Sequence, residues 1–248
     1  MNKVFLFFCP LFIWTQSGAE LAIMLDQKPS PKNLKNHLEM TLTNAKGKSR
    51  VNRMISKSMD KNNKQMIWFL YPKDDKGVAF LKIEHKAKDD EMRMWLPAFK
   101  KVRRISAKKR GDSFMGSDLS FEDLSNRDLS GNNFNRLENQ SVGEKECYVL
   151  ETIPNIELKS SYSKHISYIE KNTLNIVKEL SFDKRGELKK EKYFSYVRLD
   201  NYQILKRVFV KDVMMQHTTE ILFSKISVDQ NIQEDLFHEK NLKRIPRD

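Results

Sequence analysis

A chain of 248 residues with 45 Lys and Arg against 33 Asp and Glu carries a formal net charge of +12, a balance that points to a polyanionic partner. Its two cysteines, Cys9 and Cys147, are too few for a disulfide-stapled scaffold. No Pro-, Gly- or Ser-rich divider and no internal repeat interrupts it, and one domain of this length is ordinary for an all-β protein.

The N-terminus has the layout of an export signal. Lys3 precedes an apolar run over residues 4–14, and Ser17, Gly18 and Ala19 supply the small residues a signal peptidase reads. The run is shorter than the roughly 20 residues a membrane-spanning helix needs. Cleavage after Ala19 is expected, leaving residues 20–248 as a single exported domain. Phe7 and Phe8 are too bulky for the approach to a lipidated cysteine at Cys9. For an exported protein the polyanion is an anionic lipid surface rather than nucleic acid. Cys147 is then the lone thiol, and within the run CYVLE it reads as a small core hydrophobe, without the partners of a nucleophile.

Residues 20–28 place apolar side chains at 21, 24 and 25, the spacing of one helical stripe, and Pro29 and Pro31 end it. From His37 the period becomes two. Strands are expected over 38–42, 50–59, 65–71, 78–83 and 92–96, separated by turns at 45–48, 60–63, 72–77 and 86–90. Further strands are expected over 147–153, 161–170, 176–183, 188–199, 203–211 and 217–227. The links are short, which fits antiparallel neighbours. Asn231, with Glu234 three residues on, predicts a final short helix with Leu236, Phe237 and Leu242 inward.

Several strands are apolar on both faces: Ile67 to Tyr71 and Val78 to Leu81 show no clean alternation. A sheet with one wet face would alternate, so a second face is covered, by chain or by an apolar ligand. Catalytic patterns are absent from the sequence. His37, His85, His165, His217 and His238 have no metal-ligand spacing, and no nucleophile elbow or phosphate loop occurs.

Residues 97–124 combine unlike chemistries. Lys100 to Arg110 contains seven Lys and Arg in eleven positions, followed by Phe114-Met115 and the carboxylates Asp112, Asp118, Glu122 and Asp123. In a strand over 100–105, Lys101 and Arg103 share one face and Arg104 takes the other. Two readings stand: an edge strand guarded by charge, or a docking site for anionic head groups or an acidic partner. Asp123 reads as the third helical position after a Ser120 cap.

WLPAFKKVRRI at 95–105, SFMGSD at 113–118 and FEDL at 121–124 resemble the signature of the outer-membrane lipoprotein-sorting protein family, related to the LolA/LolB periplasmic carriers. FLYP at 69–72, KGVAFL at 76–81 and CYVL at 147–150 fit the same pattern, as do YSK at 162–164 and DLF at 235–237. Leu119 stands where an aromatic is common and Phe121 where Tyr is usual, both still apolar. The resemblance implies an incomplete antiparallel β-barrel curved around an apolar cavity, with short lid helices, no cofactor and no catalysis. It also implies a monomeric carrier for a lipid or lipoprotein acyl chain, delivering to or from an inner-membrane transporter. Trp68, Leu70, Phe80, Met94, Leu96 and Phe99 are then the expected lining, with Phe114 and Met115 as a cover. Gly116, Ser117, Asp118, Glu122 and Asp123 form the motif loop, and Lys101, Arg103 and Arg104 the docking rim. A ~16-carbon chain leaving water gains on the order of 12 kcal/mol, the scale such a site works on.

Overall fold

The computed structural model describes residues 16–85 and 90–246; the expected signal core and most of the expected turn at 86–90 lie outside the described residues. Thirteen strands form one antiparallel sheet that does not close into a barrel. They are β1 (Asn33–Thr43), β2 (Ser49–Met59), β3 (Lys64–Tyr71), β4 (Ala79–Ile83), β5 (Glu91–Leu96), β6 (Lys101–Arg104) and β7 (Asn132–Val142). The rest are β8 (Lys145–Pro154), β9 (Lys164–Glu170), β10 (Ile176–Phe182), β11 (Leu188–Leu199), β12 (Tyr202–Asp212) and β13 (His217–Val228).

The order is β6-β5-β4-β3-β2-β1-β13-β12-β11-β10-β9-β8-β7. Two meanders therefore lie side by side, joined where β1 pairs with β13 from Leu34↔Val228 to Thr43↔Thr218. Consecutive strands are separated by at most nine residues everywhere except between β6 and β7. These strands are the two opposite edges, so residues 105–131 have to travel from one edge to the other. That link contains most of the sequence's most heterogeneous stretch.

The link shows that the sheet is curled. Lys82 on β4 donates to the Leu124 carbonyl at 2.6 Å, and Lys190 on β11 donates to the adjacent Asp123 at 2.8 Å. Six strand spacings separate β4 from β11, roughly 29 Å on a flat sheet at about 4.8 Å each. Two consecutive residues reach both only if the sheet wraps around them. The face toward the link is called inner here.

One α-helix, α1 (Gly18–Asp26), covers the inner face beside β7 and β8. Ser17 and Glu20 form a capping box, and Leu21 and Ala22 pack on Leu150 and Ile169. Gly18 lies so close to the strand that a Cβ would sit 2.4 Å from the Phe134 carbonyl oxygen. The helix starts two residues before the cleavage point expected from the small-residue pattern.

Two expectations need correction. The C-terminal helix is instead a pair of 3-10 turns, Glu234–Leu236 and Glu239–Asn241, and Asn231 caps neither. Phe237 and Leu242 are still buried, with Ile232 and Leu236, against Met66, Trp68, Ala79 and Leu81 on the outer face of β3 and β4. A cover for the second face thus comes from irregular chain. Strand β7 was not expected: NNFNRLENQSV has no apolar alternation, because an edge strand with one neighbour buries little of its length.

Candidate functional site

The inner face has two halves, and the β6–β7 link fills both. In the first half, Leu38, Met40, Met54, Ile67, Phe69, Phe80, Met92 and Met94 form an apolar floor that continues to Val208 and Val210. Phe114, Leu119 and Phe121 of the link sit on this floor and are themselves buried. The Phe114 ring lies 5.3 Å from Phe80, 5.7 Å from Phe121 and 6.0 Å from Phe69, centroid to centroid. Burying a Phe side chain contributes about 1.5–3 kcal/mol, and such ring pairs add to it.

A tight turn makes this insertion possible. Met115 and Gly116 both have positive φ, 52° and 79°, and Ser117 closes the turn by donating from N and from Oγ to the Phe114 carbonyl. Glycine suits its position for backbone reasons, since Leu42 Cδ2 at 4.0 Å leaves room for a Cβ. Asp118 then anchors the turn to β13. Its carboxylate lies 2.7 Å from His217 Nδ1 and accepts from Thr219 Oγ1 at 2.7 Å.

In the second half the inward positions are charged. Lys190 and Lys192 on β11, Glu179 and Ser181 on β10, and His165 and Ser167 on β9 are all buried. The link supplies the complements. Asp123 accepts from both lysines and from Tyr162 Oη at 2.8 Å. Arg127 makes a two-pronged pair with Glu179 at 2.5 and 2.8 Å, and Lys192 also reaches Glu179 at 3.2 Å. Burial alone would raise the Asp123 and Glu179 carboxyls. The cations beside them outweigh it, Lys192 and Lys190 for Asp123, Arg127 and Lys192 for Glu179, and both stay well below the usual carboxylate range. Burial, reinforced by the Arg127 charge, holds His165 well below its ordinary value and therefore neutral. Glu122 ties the link to the neighbouring loop by accepting from Ser160 and Ser161.

The expected lining residues do not all meet. Phe80, Met94 and Leu96 belong to the inner apolar half, as do Phe114 and Met115. Trp68 is fully buried on the outer face instead, because Ile67 and Phe69 take the inner phase of β3. Leu70 borders a cleft of about 380 Å³ with Leu38, Met54 and Tyr71. Met115 and Gly116 border a second, of about 280 Å³, with Leu42 and His217. Phe99 stands 70 % exposed. Ser120 and Asp123 bond reciprocally, but Ser120 is not the cap expected of it: the 3-10 turn here is Glu122–Leu124, with Phe121 at its N-cap and Asp123 at its second position.

Lys101, Arg103 and Arg104 are exposed on the edge strand β6, where Arg103 pairs with Met94 and Val102 with Trp95. The sequence reading passed over Lys190, Lys192, Glu179 and Arg127. A signal was present: Lys190 and Lys192 share the strand phase of Phe194. Among the described residues, no group of three or more His, Cys, Asp or Glu could hold a metal ion.

Solved structures share this architecture. An outer membrane lipoprotein-sorting protein domain from Vibrio parahaemolyticus is 29% identical, with a TM-score of 0.86 over 92% of this chain and 98% of that one. A DUF1329 family protein from Desulfovibrio piger is 26% identical, with a TM-score of 0.86 over 91% and 97%. A LolA superfamily protein from Nitrosomonas europaea, 14% identical, shares the fold with a TM-score of 0.71 over 90% and 98%. No curated protein matches this chain. A family model described as "-like: Uncharacterized protein" matches residues 61–244. The chain belongs to that family, and its fold resembles that of the LolA-type lipoprotein-sorting superfamily.

Proposed function

We propose that the protein is a non-catalytic periplasmic carrier that binds the acyl chain of a lipid or lipoprotein on the inner face of its sheet. One observation carries this reading: the apolar floor of that face is covered by a loop, through Phe114, Leu119 and Phe121, and not by packed secondary structure. An acyl chain offers the same apolar contact, so one can replace the other at little net cost. The methionines Met40, Met54, Met92 and Met94 suit a floor that accepts different shapes. Similarity to the lipoprotein-sorting domain supports the reading, and residues 1–19 supply the export signal. Native mass spectrometry of protein taken from its own periplasm, with uptake of a fluorescent fatty acid, tests it. A co-purifying lipid and saturable uptake are expected; neither appearing would sink the carrier reading.

The basic strand supports a second role, contact with an anionic membrane surface or an inner-membrane transporter. Among the described residues Lys100, Lys101, Arg103 and Arg104 have no ion-pair partner, and the exposed Phe99 stands beside them. Each basic residue near such a surface contributes about 1 kcal/mol. Co-sedimentation with phosphatidylglycerol vesicles is expected to fall in Arg103→Glu/Arg104→Glu, and with rising salt. Unchanged sedimentation would count against this role.

A further inference from the structure

Asp123 occupies a site that is built for an anion. Its carboxylate, 2% exposed, accepts from Lys190 Nζ at 2.8 Å, Lys192 Nζ, Tyr162 Oη at 2.8 Å, and Ser120 N and Oγ, both at 2.8 Å. Three of these five donors, Lys190, Lys192 and Tyr162, belong to the wall and not to the link. They are fully enclosed and stay behind if the link moves. Arg127 belongs to the link as well, so its displacement removes one carboxylate and one guanidinium together. The wall then keeps two ammonium groups against the single carboxylate of Glu179. A buried charge without its partner costs several kcal/mol, and a purely apolar ligand offers nothing to offset that.

We infer that Lys190, Lys192 and Tyr162 form an anion-binding subsite for the head group of an acidic amphiphile, with Asp123 as its internal stand-in. The inference rests on the acyl-carrier reading and narrows the cargo. Aromatic and apolar residues of the link stand in for the tail on the β3–β5 side, and Asp123 stands in for the head on the β11 side. Tail and head mimics lie nine residues apart on one segment, Phe114 to Asp123. The segment is thus a competitor for the whole amphiphile. Neutral lipids would compete with it less well, because they replace the tail contact and leave Lys190 without the carboxylate it pairs with.

The test measures binding of three fluorescent long-chain probes below their micelle concentrations: a fatty acid, its methyl ester and a lysophosphatidic acid. The wild-type protein is expected to bind the two acids about tenfold or more tightly than the ester, the scale of one charge-assisted hydrogen bond. The ratio between carboxylate and phosphate probes then tells which head group the subsite prefers. Asp123→Asn weakens the stand-in and is expected to tighten acid binding severalfold. Lys190→Met is expected to bring acid and ester together. Tyr162→Phe keeps the ring, drops one donor, and reads in the same direction as Lys190→Met with smaller size should the charged variants fail to fold. Equal binding of acid and ester by wild-type protein overturns the head-group subsite and leaves the acyl-carrier reading standing. Binding of none of the three overturns both.

Discussion

The two halves of the inner face are covered by the same link through opposite physics. Over β1 to β5 the contact is Phe114, Leu119 and Phe121 on an apolar floor; over β9 to β11 it is Asp123 and Arg127 among buried Lys190, Lys192 and Glu179. Apolar contact is nondirectional and any greasy surface can restore it. A buried ion pair is restored only by matching charge in matching geometry. On the carrier reading proposed above, the first half would decide whether a ligand is apolar enough, and the second which apolar ligand is accepted.

Removing one charge should separate the halves most sharply. Glu179→Ala leaves Arg127 and Lys192 facing each other without their shared carboxylate and is expected to lower stability by about 3–5 kcal/mol, read from urea unfolding. Phe114→Ala should cost about 3–4 kcal/mol if the ring is as tightly seated as its three aromatic neighbours indicate. A much smaller loss would mean that the apolar half collapses easily around the gap.

Acid sharpens the contrast further, since His165, Asp123 and Glu179 all lie in the charged half. His165 is held neutral in the fold well below its ordinary value of 6.5. As pH falls below about 6.5 the unfolded chain takes up a proton the folded one refuses, so stability declines. Asp123 and Glu179, whose folded carboxyls are depressed, add a second loss of the same sign. Their contribution is complete above about pH 5 and disappears as pH falls toward the folded values. Urea midpoints at descending pH should show both stages, and Phe114→Ala should shift the whole curve without changing its shape.

The smallest expected effect concerns α1. Ser17 caps the helix and Gly18 packs under Phe134, whereas cleavage after Ala19 would remove both. A chain beginning at Glu20 should be about 1 kcal/mol less stable than one beginning at Gln16, the usual worth of an N-cap. On the export reading proposed above, the mass of the mature protein distinguishes the two starts. On the opposite edge, Arg103→Glu/Arg104→Glu should change stability by no more than about 0.5 kcal/mol, isolating any loss of membrane contact from loss of fold.

The antiparallel β class, eleven of the strands and the first helix, expected over 20–28 and found at Gly18–Asp26, could be read from the residues, because period-two and helical apolar spacing are local consequences of backbone geometry. The motif loop was legible too, through its clustering of Phe114, Gly116 and Asp118. The side of the sheet taken by Trp68 was not, since β3 is apolar in both phases and only its covering segments distinguish them. Lys190, Lys192 and Glu179 looked like ordinary surface charges for a related reason. Burial of a charge depends on a partner far along the chain, here Asp123 and Arg127, and nothing local announces it. What the sequence by itself determined is the eleven strands between the two edges and the composition of the segment at 97–124. Tertiary structure alone decided that β6 and β7 stand at opposite edges. Pairing of β1 with β13 is a long-range choice; once made, it forces that segment across the inner face and turns a mixed loop into the cover of the site.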